Sequence, residues 1–281
     1  MGDMALPADS HVHSEWSWDA VRGSMERTCA RAIEIGLPAL AFTEHVDHHS
    51  WPAPVDGPYA NDRITAAADP AGLFTPPAFD AAGYLAAVER CRERFPGLHI
   101  LTGLEMGEPH RFGGELSKIL ATGPFDRVLG SLHCLPDGDH YAEPWGIFPH
   151  RDPAEVVREY LAEVIRLVST TGDFVVLAHI DYPVRFWPDP PFDVAAFEEE
   201  FRAALRATAR SGRALEINTR LPLHATILDW WRDEGGRAVS FGSDAHFPEA
   251  VGLGFREAAA MAEAYGFRPG DTPYDFWRRS L

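Results

Sequence analysis

A closed or nearly closed parallel β/α barrel is the fold class that this 281-residue chain predicts. Three observations carry the prediction. Short apolar runs recur along the whole length, seven in all, and helical patterns lie between them. Strands that alternate with helices need crossover connections, and crossovers make the strands parallel. The chain also has no internal repeat, no low-complexity tract and no clear linker, so the seven units are expected to close as one domain over residues 1–281 rather than to split in two.

The runs are residues 5–8 (ALPA), 37–43 (LPALAFT), 98–104 (LHILTGL), 126–132 (DRVLGSL), 173–178 (DFVVLA), 213–218 (RALEIN) and 237–243 (RAVSFGS). The helices read by period and punctuation. SMERTCARAIEIG starts at Ser24, a natural N-cap, and stops at Gly36. DPAEVVREYLAEVIRLV carries Val156, Val157, Tyr160, Leu161, Val164 and Leu167 at helical spacing. DVAAFEEEFRAALRATARSG and EAAAMAEAYG behave alike. Two stretches, 46–79 and 135–151, resist both patterns. Loops of that length inside a compact domain tend to be lids or binding loops.

Composition narrows the function. A formal net charge of −17 argues against long nucleic acids and anionic membranes, both of which need a basic surface. A small anionic substrate stays open where metals or a few arginines supply local positive charge. No apolar run approaches the ~18–20 residues of a membrane span, and no signal peptide is visible. Cys29, Cys91 and Cys134 are scattered without a CxxC or disulfide pattern, which fits a reducing cytoplasm. Oligomeric state leaves no trace in the sequence.

The chemistry gathers where the apolar runs end. After the first come His11 and His13, then Asp19; after the second, Glu44 and His45. Glu105 follows the third, His133 the fourth and His179 the fifth. The sixth ends in EINTR and the seventh in SDAH, with Asp244 and His246. In a β/α barrel these positions share the C-terminal rim, where active sites are built. His11 and His13 stand two apart, so on a strand their rings face one side. The set His11, His13, Asp19, His45, Glu105, His133, His179, Asp244 and His246 is too large for one ion. Mixed imidazole and carboxylate donors suit two or three divalent ions of zinc, manganese or iron. The remaining histidines read as ordinary. His48 and His49 belong to a lid or the surface, and His99 to a strand start on the opposite rim. His110, His140, His150 and His224 read as mostly solvated, and Cys134 as a small buried hydrophobe.

The motifs DSHVHSEWSWDA, FTEHVD, LTGLEMGE, GSLHCL, LAHIDYPVR, LEINTR and FGSDAH, in this order, resemble the PHP (polymerase and histidinol phosphatase) family. The likeness runs over roughly residues 8–265. The HSxxSxDA continuation, SLH and HIDYPVR look most like the stand-alone histidinol-phosphate phosphatase branch. The resemblance implies a distorted (β/α)7 barrel with a metal cluster, usually trinuclear. It implies that His11, His13, Glu105 and Asp244 hold one ion, and that Glu105 bridges to a second held by His133 and His179. Asp19, His45 and His246 would hold the third. The implied reaction is phosphomonoester hydrolysis, most naturally of L-histidinol phosphate. The alternatives are a nucleotide or other small phosphate ester and, further off, a metal-binding module without turnover. His246 and Asp244 are candidates for protonating the leaving oxygen. Arg185 and Arg220, both just past strand ends, are candidates for the phosphate. Glu108 or Asp181 would meet the substrate ammonium, and Trp16, Trp18, Trp51 or Trp187 its imidazole.

Overall fold

The computed structural model describes residues 6–56, 62–170 and 172–279. Seven parallel strands follow one another round a curled sheet: β1 (Asp9–Val12), β2 (Ala39–Val46), β3 (His99–Gly107), β4 (Arg127–Ser131), β5 (Val176–Leu177), β6 (Ala214–Asn218) and β7 (Ala238–Gly242). The ring closes along its C-terminal rim. There the His13 amide donates to the Ala245 carbonyl at 2.9 Å and the Asp244 amide to the His11 carbonyl at 2.8 Å. At the opposite end the closure fails. An eighth strand, β8 (Trp277–Arg278), pairs antiparallel with the start of β7 and holds the floor apart. The fold is therefore the expected (β/α)7 barrel, and its distortion has a physical source: closed above, wedged open below.

Crossover helices cover the outside: α1 (Met25–Ile35), α2 (Ala81–Arg94), α3 (Gly113–Leu120), α4 (Pro153–Ser169), α5 (Glu198–Ser211), α6 (Ala225–Asp233) and α7 (Phe255–Ala264). Helix α1 begins and ends where its punctuation places it. Ser24 Oγ caps the Arg27 amide, and Gly36 stops the helix at φ 77°, a conformation that glycine adopts without steric cost. Side chains alternate strictly along the strands. Leu215, Ile217, Val239 and Phe241 pack outward against the helices, while Leu129, Val176, Ala178, Ala214 and Ala238 form a small inner cluster. The inward residues above that cluster are polar, and they make the site.

Several boundaries depart from the sequence expectation. The first strand covers Asp9–Val12 rather than residues 5–8, of which Ala5 lies outside the described residues. Asp9 belongs to the strand although it is charged, because its buried carboxylate takes the amides of Ser243 at 3.0 Å and Gly252 at 3.1 Å across the barrel closure. Strands β2 and β3 end three residues beyond their apolar runs, at Val46 and Gly107. Their register pairs His45 with Glu105. The loop over 46–79 carries a small ribbon, Trp51–Pro52 with Leu73–Phe74; residues 57–61 of it lie outside the described residues. A second ribbon, Leu135–Asp137 with His140–Ala142, rises from the other long loop. No helix among the described residues is long and apolar enough to cross a membrane.

His110 corrects the reading of it as solvated. Its ring is buried, with Nε2 2.7 Å from Glu163 Oε1 on α4, and Arg111 and Arg166 pair with the same carboxylate. The His110 hydrogen bond and the arginine charge hold the Glu163 carboxyl down to about 2, against the opposing effect of burial. A depressed carboxylate stabilises the fold above its unfolded value, and that contribution disappears as pH falls through the folded value. Glu163→Gln should therefore cost about 1–2 kcal/mol at neutral pH, less than the full shift implies because solvent screens its arginine partners. The gap in melting temperature to the wild type should narrow below the ordinary carboxylate value of 4.5 and close near pH 2. A gap independent of pH would rule the ion-pair account out.

Candidate metal centre

Glu105, at the upper end of β3, is the hub. Its Oε2 lies 3.1 Å from His11 Nε2, 3.3 Å from His13 Nε2 and 3.2 Å from His45 Nδ1. Its Oε1 lies 3.2 Å from His133 Nε2 and 2.7 Å from His179 Nε2. Asp244, turned inward by a φ of 52°, stands 3.5 Å from His13 Nε2. Asp19 Oδ2 reaches His246 Nε2 at 2.8 Å and His45 Nε2 at 3.5 Å. All nine residues expected to hold metal thus meet at one mouth. Three overlapping sets within it bring candidate ligand atoms within 4.8 Å of one another: His11, His13 and Glu105; His45, Glu105 and His133; His13, His45 and His246.

The donors fit cations. His11 Nε2 faces His13 Nε2 at 3.1 Å. Each ring spends its other nitrogen elsewhere. His11 Nδ1 is 2.6 Å from Glu216 Oε1, and His13 Nδ1 is 2.9 Å from Ser17 Oγ. Ser17 donates its single proton to Glu44 at 2.6 Å, so His13 Nδ1 must be the donor to Ser17. That tautomer leaves a lone pair on His13 Nε2. Burial lowers His11, but Glu105 and Glu216 raise it above the ordinary imidazole value, so a cation would take the place of a proton on its Nε2. Both Nε2 atoms and a carboxylate oxygen converge on one buried point. Within the same cluster Glu105 Oε2, His45 Nδ1, His179 Nδ1 and Asp19 Oδ1 are buried without a hydrogen-bond partner. Divalent ions satisfy that arrangement; apolar packing or a shared proton network does not.

Charge reinforces the geometry. Burial pushes the Glu105 carboxyl up, but the charges of His11, His45 and His133 hold it well below the carboxylate range. Burial and then the neighbouring His45 and His246 lower His13 to about 4, which keeps it neutral and able to ligate. Asp244 is buried too, yet Arg185 and Arg220 keep it ionised. Arg185 Nη2 is 2.7 Å from Asp244 Oδ2, and Arg220 Nη1 is 3.2 Å from Oδ1. An anchored carboxylate of this kind is a poor proton donor, which counts against Asp244 in the role of protonating the leaving oxygen.

A cavity of about 430 Å³ opens above the cluster. Arg185, Arg220, His246, Trp18, Trp51 and Trp145 are among its lining residues. Four readings need correction. Glu108 does not face it: its carboxylate is buried under the chain and accepts the amides of His133 at 2.7 Å and Cys134 at 2.9 Å. Asp181 is buried outside the lining. Trp16 packs beside Gly83, and Trp187 among Phe148, Phe192 and Phe197.

Sequence reasoning also passed over four working residues. Asp47 holds His133 Nδ1 at 2.9 Å and lines the cavity. Its signal was present, two residues after His45 on an alternating strand. Glu216 was visible as a lone carboxylate in the apolar run of β6, facing the same way as the inward Ala214. Glu143 and its partner Tyr182, 2.5 Å apart, come from loop segments and carried no such signal.

The fold and the rim cluster together define a barrel with a candidate metal centre at its mouth. The chain belongs to the PHP domain family, whose model matches residues 9–220. It is similar to the histidinol-phosphatase of Lactococcus lactis subsp. lactis (strain IL1403), with 27% identity over 269 residues that cover 92% of this chain and 91% of that protein. A probable histidinol-phosphatase of Deinococcus radiodurans is 28% identical over 276 residues, covering 92% of this chain and 94% of that protein. The crystal structure of histidinol phosphate phosphatase from Lactococcus lactis, complexed with zinc, L-histidinol and phosphate, superposes with a TM-score of 0.77 at 25% identity. That match covers 96% of this chain and 98% of the other.

Removing the groups that orient the donors should loosen the metals. Glu216→Gln is expected to weaken binding of at least one ion by ~10–100-fold, and His179→Ala by more. Elemental analysis after dialysis against a graded chelator reads this directly. Wild-type metal retention in both variants would show that these side chains do not serve the centre.

Proposed function

We propose that the protein is a metal-dependent phosphomonoesterase of one domain that hydrolyses L-histidinol phosphate to L-histidinol and phosphate. The observation that carries this reading is the composition of the mouth. A dense imidazole–carboxylate cluster and two arginines share it with three indoles and the carboxylate of Glu143. Histidinol phosphate calls for the same groups: it has a dianionic phosphate, an ammonium and an imidazole.

We assign His11, His13, Glu105 and Asp244 to one ion, and Glu105, His133 and His179 to a second. Asp19, His45 and His246 are assigned to a third. Zinc is the first choice, with manganese and iron also suited to these donors. Bound divalent ions would supply Lewis acidity, neutralising phosphate oxygens and acidifying water. The chain's own residues do the rest. Arg185 and Arg220 already lean over Asp244, and Arg185 Nε is buried without a hydrogen-bond partner. A phosphate oxygen gives that nitrogen the acceptor it lacks. Water adds to phosphorus, the bond from phosphorus to the alkoxide oxygen breaks, and a proton must reach that oxygen. His246 and Asp244 are assigned to ions and would have no proton to give, so a water in the open cavity is left to deliver it.

Glu143 also lines the cavity and offers a carboxylate for the ammonium. Trp18, Trp51 and Trp145 offer faces for the imidazole. This replaces Glu108 and Asp181 in the recognition scheme. The three free, buried thiols suit the reducing cytoplasm in which we place the enzyme.

Two measurements test the reading. With zinc-loaded enzyme, kcat/KM for L-histidinol phosphate should exceed that for p-nitrophenyl phosphate, nucleoside monophosphates and sugar phosphates by at least ~100-fold, or roughly 2.7 kcal/mol of discrimination. A flat profile, or a nucleotide in first place, removes the histidinol assignment and leaves a phosphoesterase. Arg185→Ala should lower kcat/KM by ~10- to 1000-fold, about 1.4–4 kcal/mol, with little change in melting temperature. Full activity in that variant would make Arg185 a rim residue only.

A further inference from the structure

The floor of the barrel holds a second polar cavity, at the opposite end from the metal centre. Its volume is about 680 Å³, and Arg127, Arg268, Arg278 and Arg279 all contribute to its wall. The chain carries 42 acidic residues against 25 lysines and arginines, so an unpaired arginine is not expected anywhere on it. Many of the other arginines are paired, among them Arg92 with Asp126, Arg94 with Glu26 and Arg206 with Glu234. Among the described residues none of the four floor arginines has a carboxylate within ion-pair distance.

Arg127 is the telling one. It opens β4 and points inward, two residues before Leu129 in the inner cluster. It is 9% exposed. Its Nη2 donates to the Tyr274 carbonyl at 2.7 Å, while its Nε is buried with no hydrogen-bond partner. The Phe276 ring lies 4.3 Å from the guanidinium carbon and offsets part of the cost. The nearest carboxylates are otherwise committed. Asp126 takes Arg92 and the Thr102 amide, and Asp275 caps the Thr272 amide at 2.7 Å. Arg268 and Arg279 already donate to backbone carbonyls, which fixes the Arg268 guanidinium on Glu263 and Phe267 and that of Arg279 on Arg232 and Gly236. Asp126, Asp271 and Asp275 also line the cavity, and the charges of Asp126 and Asp275 act on Arg127 without a direct ion pair, so its buried Nε still lacks an acceptor, a cost such groups normally avoid.

We infer that the floor cavity binds a small oxyanion, held by Arg127 from the barrel and Arg278 from β8. The anion ties the start of β4 to the C-terminal segment that wedges the floor open. Phosphate-type and carboxylate-type ligands share this chemistry, because a guanidinium fork accepts either. The inference is independent of the reaction proposed for the rim.

The test uses the metal-loaded enzyme at constant ionic strength, with chloride as the balancing salt. Melting temperature is followed against sulfate, inorganic phosphate and acetate for the wild type, Arg127→Met and Arg278→Ala. Saturable stabilisation by an oxyanion is expected in the wild type, and both variants should lose most of it. Any anion effect at the metal rim is common to the three proteins and cancels. A larger response to sulfate and phosphate identifies a tetrahedral ligand, and a larger response to acetate a carboxylate. Crystals of the wild type soaked in selenate should show an anomalous peak beside Arg127, a reading that holds even where a variant fails to fold. Equal anion responses in wild type and variants, or selenate at the rim with none on the floor, would overturn the site.

Discussion

One carboxylate organises the upper half of this barrel. Glu105 has five imidazoles within 3.3 Å, drawn from four different strand ends. Polar groups this deep survive out of water where they have fixed partners. Three of the rings have one on the far side: Glu216 behind His11, Ser17 and Glu44 behind His13, Asp47 behind His133. They in turn dictate the backbone around them. A Cβ on Gly242 would stand 2.1 Å from Glu216 Oε1 and 2.6 Å from the Cβ of His11. Glycine at that point in β7 is thus a consequence of the site's chemistry, and the parallel register of β6 and β7 depends on it.

The two ends of the barrel answer different demands. Above, the backbone bonds between β1 and the end of β7 hold His11, His13 and Asp244 against one another. Any slippage there would move three of the converging side chains at once. Below, the ring can be open because no convergent chemistry needs it closed, and β8 with Phe276 fills the gap. The inner cluster between the two ends is small in volume, mostly alanine and valine, so the polar layer sits deep and well shielded from solvent. That depth strengthens each electrostatic contact in the centre.

The barrel and its rim were legible in the sequence for one reason. Strand ends in a β/α barrel converge whatever the chain between them does, so a histidine after an apolar run already has an address. His133 and His179 could be placed that way with no knowledge of their partners. Asp9 could not, since a charge at a strand start reads as loop until the closure that buries it is known. Glu216 was hidden by the same habit, a lone acid inside an apolar run. Glu108 misled in the opposite sense: its position just past β3 suggested a substrate contact, but a φ of 47° turns it under the chain to hold the amides of His133 and Cys134. Glu143, Tyr182 and Trp145 come from segments whose path only the folded chain fixes.

Those loop residues carry the argument about specificity. The cluster and the arginines address a phosphate, which every phosphomonoester has. What separates one ester from another must lie in the wall of Trp18, Trp51, Trp145 and Glu143, supplied by the loop after β1 and the two long lid loops. A wall made of loops needs an anchor to be selective, and the scaffold gives it one. His49 from the first lid loop stacks on Tyr141 from the second at 3.6 Å, and the Arg111 guanidinium lies 4.8 Å from the same tyrosine ring. Arg111 is itself ion-paired to Glu163 on α4. The lids are therefore fastened to each other and then to a crossover helix of the barrel. The centre fixes which reaction is possible, while this fastening fixes the shape of the space above it and hence which ester enters.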